Sequence, residues 1–195
     1  MEMHNVCRMT VISIRHMYSV LNLEYYAFYR RDCDNKMSNF GNAICGYRIA
    51  HWLYKHKLTI LAKIVRGGVY LFHNCYIPYT AEIGKGTICG YKGMGVVVHS
   101  KAVIGQNCLI GTNVTIGGKS NSDGIPIIGD NVYIATGAKV LANIHIGNNV
   151  VIGANAVMLS DAQDNTVWAG VPAKCIKINE KTEFTVQKTE LERKR

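Results

Sequence analysis

Imidazoles, thiols and glycine pairs are the groups in this chain equipped for chemistry, and their spacing narrows what that chemistry is. Seven cysteines (Cys7, Cys33, Cys45, Cys75, Cys89, Cys108, Cys175) form no CxxC pair, and no cysteine–histidine group has zinc-site spacing. Neither a disulfide scaffold nor a metal finger is expected, and scattered buried thiols in a reducing cytoplasm are. Only two of the seven histidines, His99 and His145, fall within residues 75–178. An imidazole accepts a proton near neutral pH and so activates a hydroxyl for attack. His145, in NIHIG, precedes an inward position of a regular repeat and reads as a surface residue. His99, in GVVVHS, stands where that repeat usually has glycine, so something other than corner geometry selects it. The pair Gly117-Gly118 offers the uncrowded main-chain N–H groups that an oxyanion requires.

These residues lie on a scaffold of period six. Every sixth residue from 98 to 158 reads Val98, Ile104, Ile110, Ile116, Ser122, Ile128, Ile134, Val140, Ile146, Ile152, Met158. Three residues after most of these stands Asn107, Asn113, Asn131, Asn143, Asn149 or Asn155, with Gly137 once. Asn and Gly accept left-handed backbone angles cheaply and suit a repeated corner. No α-helix holds a period of six on one face, whereas a parallel β-helix does, with three six-residue sides per coil. Val98, Ile116, Ile134 and Ile152 are then expected to stack on one wall. In the column after them, Gly117, Ala135 and Gly153 would leave a groove beside His99. Ser122 breaks the register, so GKSNSDGIP (118–126) is expected to leave the coil as a loop.

Residues 1–74 differ in character, with eleven of the 17 aromatic side chains and ten basic against four acidic residues. In Gly41–Phe72, Ile49, Leu53, Ile60 and Ile64 recur at helical spacing between Arg48, Lys55, Lys57, Lys63 and Arg66. Two amphipathic helices broken near Lys57 are expected, with Gly67-Gly68 interrupting a last turn. The division expected is a helical region 1–74, a β-helix 75–178 and a charged tail 179–195. The net charge of +9 fits a phosphorylated ligand, or a peripheral membrane contact through the basic helices, as well as it fits a soluble basic surface. No run of about 18 apolar residues occurs, and no nucleic-acid motif accompanies the charge.

The repeats IGQNCL, IGTNVT, IGDNVY, IGNNVV and IGANAV, together with YRIAHWLYKHK, GVVVHSKAVIGQN, NVTIGG and AGVPAK, resemble the left-handed β-helix hexapeptide acyltransferases. The nearest likeness is to serine acetyltransferase and its sugar O-acetylating relatives, over roughly residues 47–178. The fold this implies is mostly β, a left-handed parallel β-helix of hexapeptide repeats preceded by an α-helical segment. The resemblance implies acetyl transfer from acetyl-CoA to a hydroxyl without a metal, in a homotrimer or higher assembly with sites between subunits. Serine acetyltransferases carry an Asp-His pair where this chain has Gly90, Tyr91 and Lys92, and Arg-His-Pro where it has Gly124-Ile125-Pro126. The missing Arg and His point to a sugar or glycan precursor as acceptor, with serine as the alternative.

On that likeness His99 is the expected general base, and Gly117 and Gly118 the oxyanion donors. Gly118, Thr136 and Ala154 match positions that meet CoA through the main chain, and Lys174 suits a CoA phosphate. Trp168 either stacks on adenine or caps the open core. Tyr91, Lys92, Lys119 and Asp123 are the expected acceptor contacts. A γ-type carbonic anhydrase needs three histidines for zinc, and two histidines 46 residues apart do not supply them. A non-enzymatic β-helix scaffold leaves AGVPAK, His99 and the loop unexplained.

Overall fold

A computed structural model of the chain describes residues 42–118 and 124–178. The first 41 residues, Ser122 with its neighbours 119–123, and the tail 179–195 lie outside the described residues. Helix α1 (Ala43–Lys55) starts at Asn42, whose side-chain oxygen accepts the Ile44 N–H at 3.2 Å and satisfies one of the orphan donors of the first turn. Lys57 takes a φ of 64° at the break, as the spacing predicted. Helix α2 (Thr59–His73) ends on left-handed Asn74. It runs through Gly67-Gly68, a correction to the expected interruption: nothing within 4 Å crowds either glycine, and helical bonds carry the chain across both.

From Tyr76 onward the chain winds through short strands that pair in parallel into three walls. The first holds β1 (Glu82–Ile83), β4 (Val103–Ile104), β7 (Ile127–Ile128) and β10 (His145–Ile146). The second holds β2 (Ile88–Cys89), β5 (Leu109–Ile110), β8 (Tyr133–Ile134) and β11 (Val151–Ile152), and continues into β13 (Thr166–Ala169) and antiparallel β14 (Lys174–Ile178). The third holds β3 (Val97–Val98), β6 (Thr115–Gly117), β9 (Lys139–Leu141) and β12 (Val157–Met158). The fold is thus a parallel β-solenoid of hexapeptide repeats with two helices before it. Every described member of the period-six series is buried, from Val98 to Met158.

The corners use left-handed residues at Asn107, Asn113, Asn131, Gly137, Asn149 and Asn155, with φ between 54° and 76°. Asn143 departs from this expectation. Ala142 takes the positive φ of 82° instead, because Asn143 packs against Gly124 where the loop re-enters.

The stacking needs a larger correction. Val98 pairs with Ile116, and Ile116 with Val140, not Ile134. Ile134 belongs to the second wall, between Ile110 and Ile152. The loop consumes one hexapeptide, so the coil containing it spans 24 residues rather than 18, and every later residue moves round by one wall.

The helices join this core rather than sitting apart from it. Ala43, Ile44, Tyr47 and Val69 belong to the same buried cluster as the coil, so residues on both sides of position 74 share one interior. The Tyr47 hydroxyl donates to the Ala81 carbonyl at 2.6 Å, and Arg48 donates to the Gly84 carbonyl at 2.9 Å. Ile134→Ala is expected to lower the unfolding free energy by about 2–5 kcal/mol, the usual cost of such a core truncation. In denaturant melts, a double-mutant cycle should show coupling of Ile134 with Ile110 and near-additivity with Ile116. The reverse pattern would restore the 18-residue stacking.

Candidate functional site

The corner leaving the third wall carries the candidate base. Pairing of Val98 with Ile116 sets His99 directly over Gly117, and the His99 N–H donates to the Ile116 carbonyl at 2.8 Å. The half-buried imidazole accepts the Lys101 main-chain N–H on Nδ1 at 3.2 Å, so the ring closes its own turn. With that lone pair engaged, the neutral ring carries its proton on Nε2. Gly117 has open space where a side chain would begin, and the chain departs into the loop at Gly118. It returns at Gly124, whose φ of 142° and close approach to Asn143 exclude a side chain. The structure therefore brings His99, Gly117 and Gly118 together at the loop root. Lys119 and Asp123 lie outside the described residues.

The groove expected beside His99 is not there. The residue after Gly117 in its column is Leu141, fixed by the β6–β9 pairing. Ala135 and Gly153 follow Ile134 and Ile152, and so line the corner after the second wall, for the 24-residue reason given above. There a column of small residues does exist: Gly111, Ala135, Gly153 and Ala169. A Cβ on Gly111 would lie 2.6 Å from the Thr136 nitrogen, so the backbones are in close approach. Thr136 and Ala154, the expected CoA contacts, are exposed on this second corner, and Tyr91 stands in line with them through the β2–β5–β8–β11 register. The predicted residues thus divide between two corners of the triangle.

Tyr91 and Lys92 occupy a short 3-10 turn, Gly90–Gly93, and both are left-handed, with φ of 46° and 62°. Two such residues in succession are strained, and the surroundings hold them. The Asn42 side-chain amide donates to the Cys89 carbonyl at 2.9 Å, and Gly93 packs so closely that a Cβ there would lie 2.9 Å from the Ala43 Cβ. The α1 N-terminus thereby clamps the turn. Burial, and then the positive charge of Lys92, lower the pKa of His73. Burial raises that of Tyr133, with Tyr91 adding to the effect.

At the C-terminal end Trp168 pairs in register with Ile152, packs on the core cluster and donates from Nε1 to the Thr166 hydroxyl at 2.9 Å. Lys174, the last residue of AGVPAK, is exposed at the start of β14. His145 is exposed, as expected. Burial pushes the Cys75 and Cys89 thiols up to about 11 and 12, and also raises Cys108, so none of these three supplies a thiolate nucleophile near neutrality. Among the described residues no three His, Cys, Asp or Glu side chains group as metal ligands.

The sequence reading missed the engagement of Nδ1 by Lys101, the clamp from Asn42, and the inward role of Arg48. None has a periodic signal. The wall shift did have one: adding the loop's six residues to 18 gives the observed pairing.

Residues 125–160 match the family described as bacterial transferase hexapeptide (six repeats). A protein of Synechococcus elongatus named serine acetyltransferase is 38% identical over 69% of this chain and 55% of its own length. A solved serine acetyltransferase in complex with CoA is 34% identical, with a TM-score of 0.62 over 69% of this chain and 55% of that one. The serine acetyltransferase of Neisseria gonorrhoeae, solved in complex with serine, is 37% identical, with a TM-score of 0.63 over 68% of this chain and 54% of that one. The chain therefore spans about half the length of these relatives.

Gly93→Ala is expected to cost about 1–3 kcal/mol, since it adds both a clash with Ala43 and a strained φ. Lys92→Gly is expected to melt within about 1 kcal/mol of the parent, as relief of strain offsets the added chain entropy. Thermal melts of both variants check the clamp, and equal losses would refute it.

Proposed function

We propose, from the premise that this chain is a hexapeptide-repeat β-helix protein resembling serine acetyltransferase, that it transfers the acetyl group of acetyl-CoA to the hydroxyl of serine. The observation that carries the reading is the likeness, at 38% identity, to a serine acetyltransferase, over a fold shared with serine- and CoA-bound relatives. It corrects the sugar or glycan acceptor expected from the sequence. That expectation rested on the missing Asp-His pair and Arg-His-Pro, and relatives named for serine outweigh it. With it goes the place in polysaccharide synthesis.

A serine acceptor requires a base, a cation for its carboxylate and donors for the oxyanion. His99 is the proposed base. The bond that engages Nδ1 is long at 3.2 Å, so a correctly placed hydroxyl in a water-excluded site can displace it. Lys119, five residues before Gly124 on the loop, is the proposed carboxylate anchor in place of Arg. The N–H groups of Gly117 and Gly118 are the proposed oxyanion donors. Thr136, Ala154 and Lys174 are the proposed CoA contacts. Because they lie on a different corner from His99, one chain does not set base and donor side by side. A homotrimer does, if the second corner of one copy faces the third corner of the next. No helix among the described residues is long and apolar enough to cross a membrane. The reading places the enzyme in the cytoplasm, and seven widely spaced cysteines without a CxxC pair accord with a reducing compartment.

Given acetyl-CoA and L-serine, the protein is expected to release CoA with kcat/KM of about 10⁴ M⁻¹s⁻¹ or more. Absence of release with serine would overturn the acceptor. His99→Ala is expected to keep its circular dichroism spectrum and lose about 10²–10⁴-fold in kcat, the usual worth of a positioned base. Near-parental turnover at saturating serine would remove His99 from that role.

A further inference from the structure

Helix α2 turns one face to the protein and another, equally apolar, to the outside. Ala62 and Val69, seven residues apart, are its buried positions. On the opposite side, at spacings of four and seven, stand Ile60, Ile64 and Leu71, which are 74%, 64% and 78% exposed, with Phe72 beside them at 83%. Gly67 and Gly68 lie between them with nothing within 4 Å, so the strip is flat as well as apolar. Exposed apolar rows of this extent mark an interaction surface.

Charge identifies what covers it. From Asn42 to Ala81 the chain has five Lys and Arg residues and no Asp or Glu. Arg48 is turned inward to the Gly84 carbonyl, and Arg66 lies over the Tyr76 and Tyr79 rings, at 5.6 and 5.8 Å from their centroids. Lys63 on α2, and Lys55 and Lys57 just before its start, remain exposed. A second copy meeting this face symmetrically would set those lysines against their own kind. The segment 1–41, with five basic and four acidic residues, brings no net negative charge to offset them. An anionic lipid surface supplies both missing complements, headgroup charge for the lysines and acyl boundary for Ile60, Ile64, Leu71 and Phe72.

We infer that the outward face of α2 docks the protein on anionic membrane surfaces, with the helix lying in the plane of the interface. Fifteen residues of α-helix extend about 22 Å, enough to lay the whole strip flat. The inference is independent of the acetyl acceptor.

The test is co-sedimentation of the full chain with vesicles of phosphatidylcholine alone and of phosphatidylcholine with phosphatidylglycerol, at low and high salt. Binding to the anionic vesicles that weakens with salt is expected. Ile64→Asp combined with Leu71→Asp should lower the partition coefficient at least about tenfold. Lys57→Glu combined with Lys63→Glu should lower it by about tenfold or more on anionic vesicles, and leave the already weak binding to neutral vesicles unchanged. All four positions are exposed, so melting temperatures should hold. Failure of the parent protein to bind, or binding that neither double variant weakens, would overturn the inference. So would a change in the solution mass of the Ile64/Leu71 variant, which would assign the face to a protein contact.

Discussion

Everything in the solenoid depends on inward aliphatic side chains stacking in register from one coil to the next. Strands of two or three residues have too few ladder bonds to persist alone. They are held because Val98, Ile116, Val140 and Met158, and likewise Ile110, Ile134 and Ile152, bury one another completely. This stack also fixes the outside of the molecule. A residue beside an inward position is carried to a fixed height on a fixed corner, and in that way His99 comes to stand over Gly117.

The constraint explains both what could be read in the sequence and what could not. Period six, the left-handed Asn corners and the break near Lys57 are local, and each follows from a residue's own preference. Which wall a residue reaches is a cumulative property: it counts every residue before it. The six residues that leave at Gly118 left the phase intact and changed the wall, so Ile134 was assigned to the wrong partners although its burial was foreseen. The groove of small residues was likewise real but belonged to another corner. The clamps were invisible for a different reason. Asn42 to Cys89 and Arg48 to Gly84 join residues 47 and 36 apart, and no pattern in either segment announces the other.

The strained turn at Tyr91 and Lys92 shows how helices and coil depend on each other. Two left-handed residues in sequence are costly, yet the turn persists because α1 begins against it through Asn42 and Ala43. The helical segment is therefore part of the coil's first corner rather than an ornament before it. Its outer side, exposed among the described residues, is apolar and basic at once.

On the proposed reading, His99 holds two positions in conflict. The Lys101 N–H that orients the ring occupies the lone pair that a base needs. A carbonyl accepting from Nδ1–H would instead have left Nε2 ready to take a proton, whereas here Nδ1 accepts from the Lys101 N–H. The ring must give up its internal partner before it can serve a substrate. That exchange costs little only if water is excluded and the acceptor hydroxyl arrives correctly placed. In the proposed trimer the second corner of a neighbouring copy would place it, so the competence of His99 would be conferred by that copy.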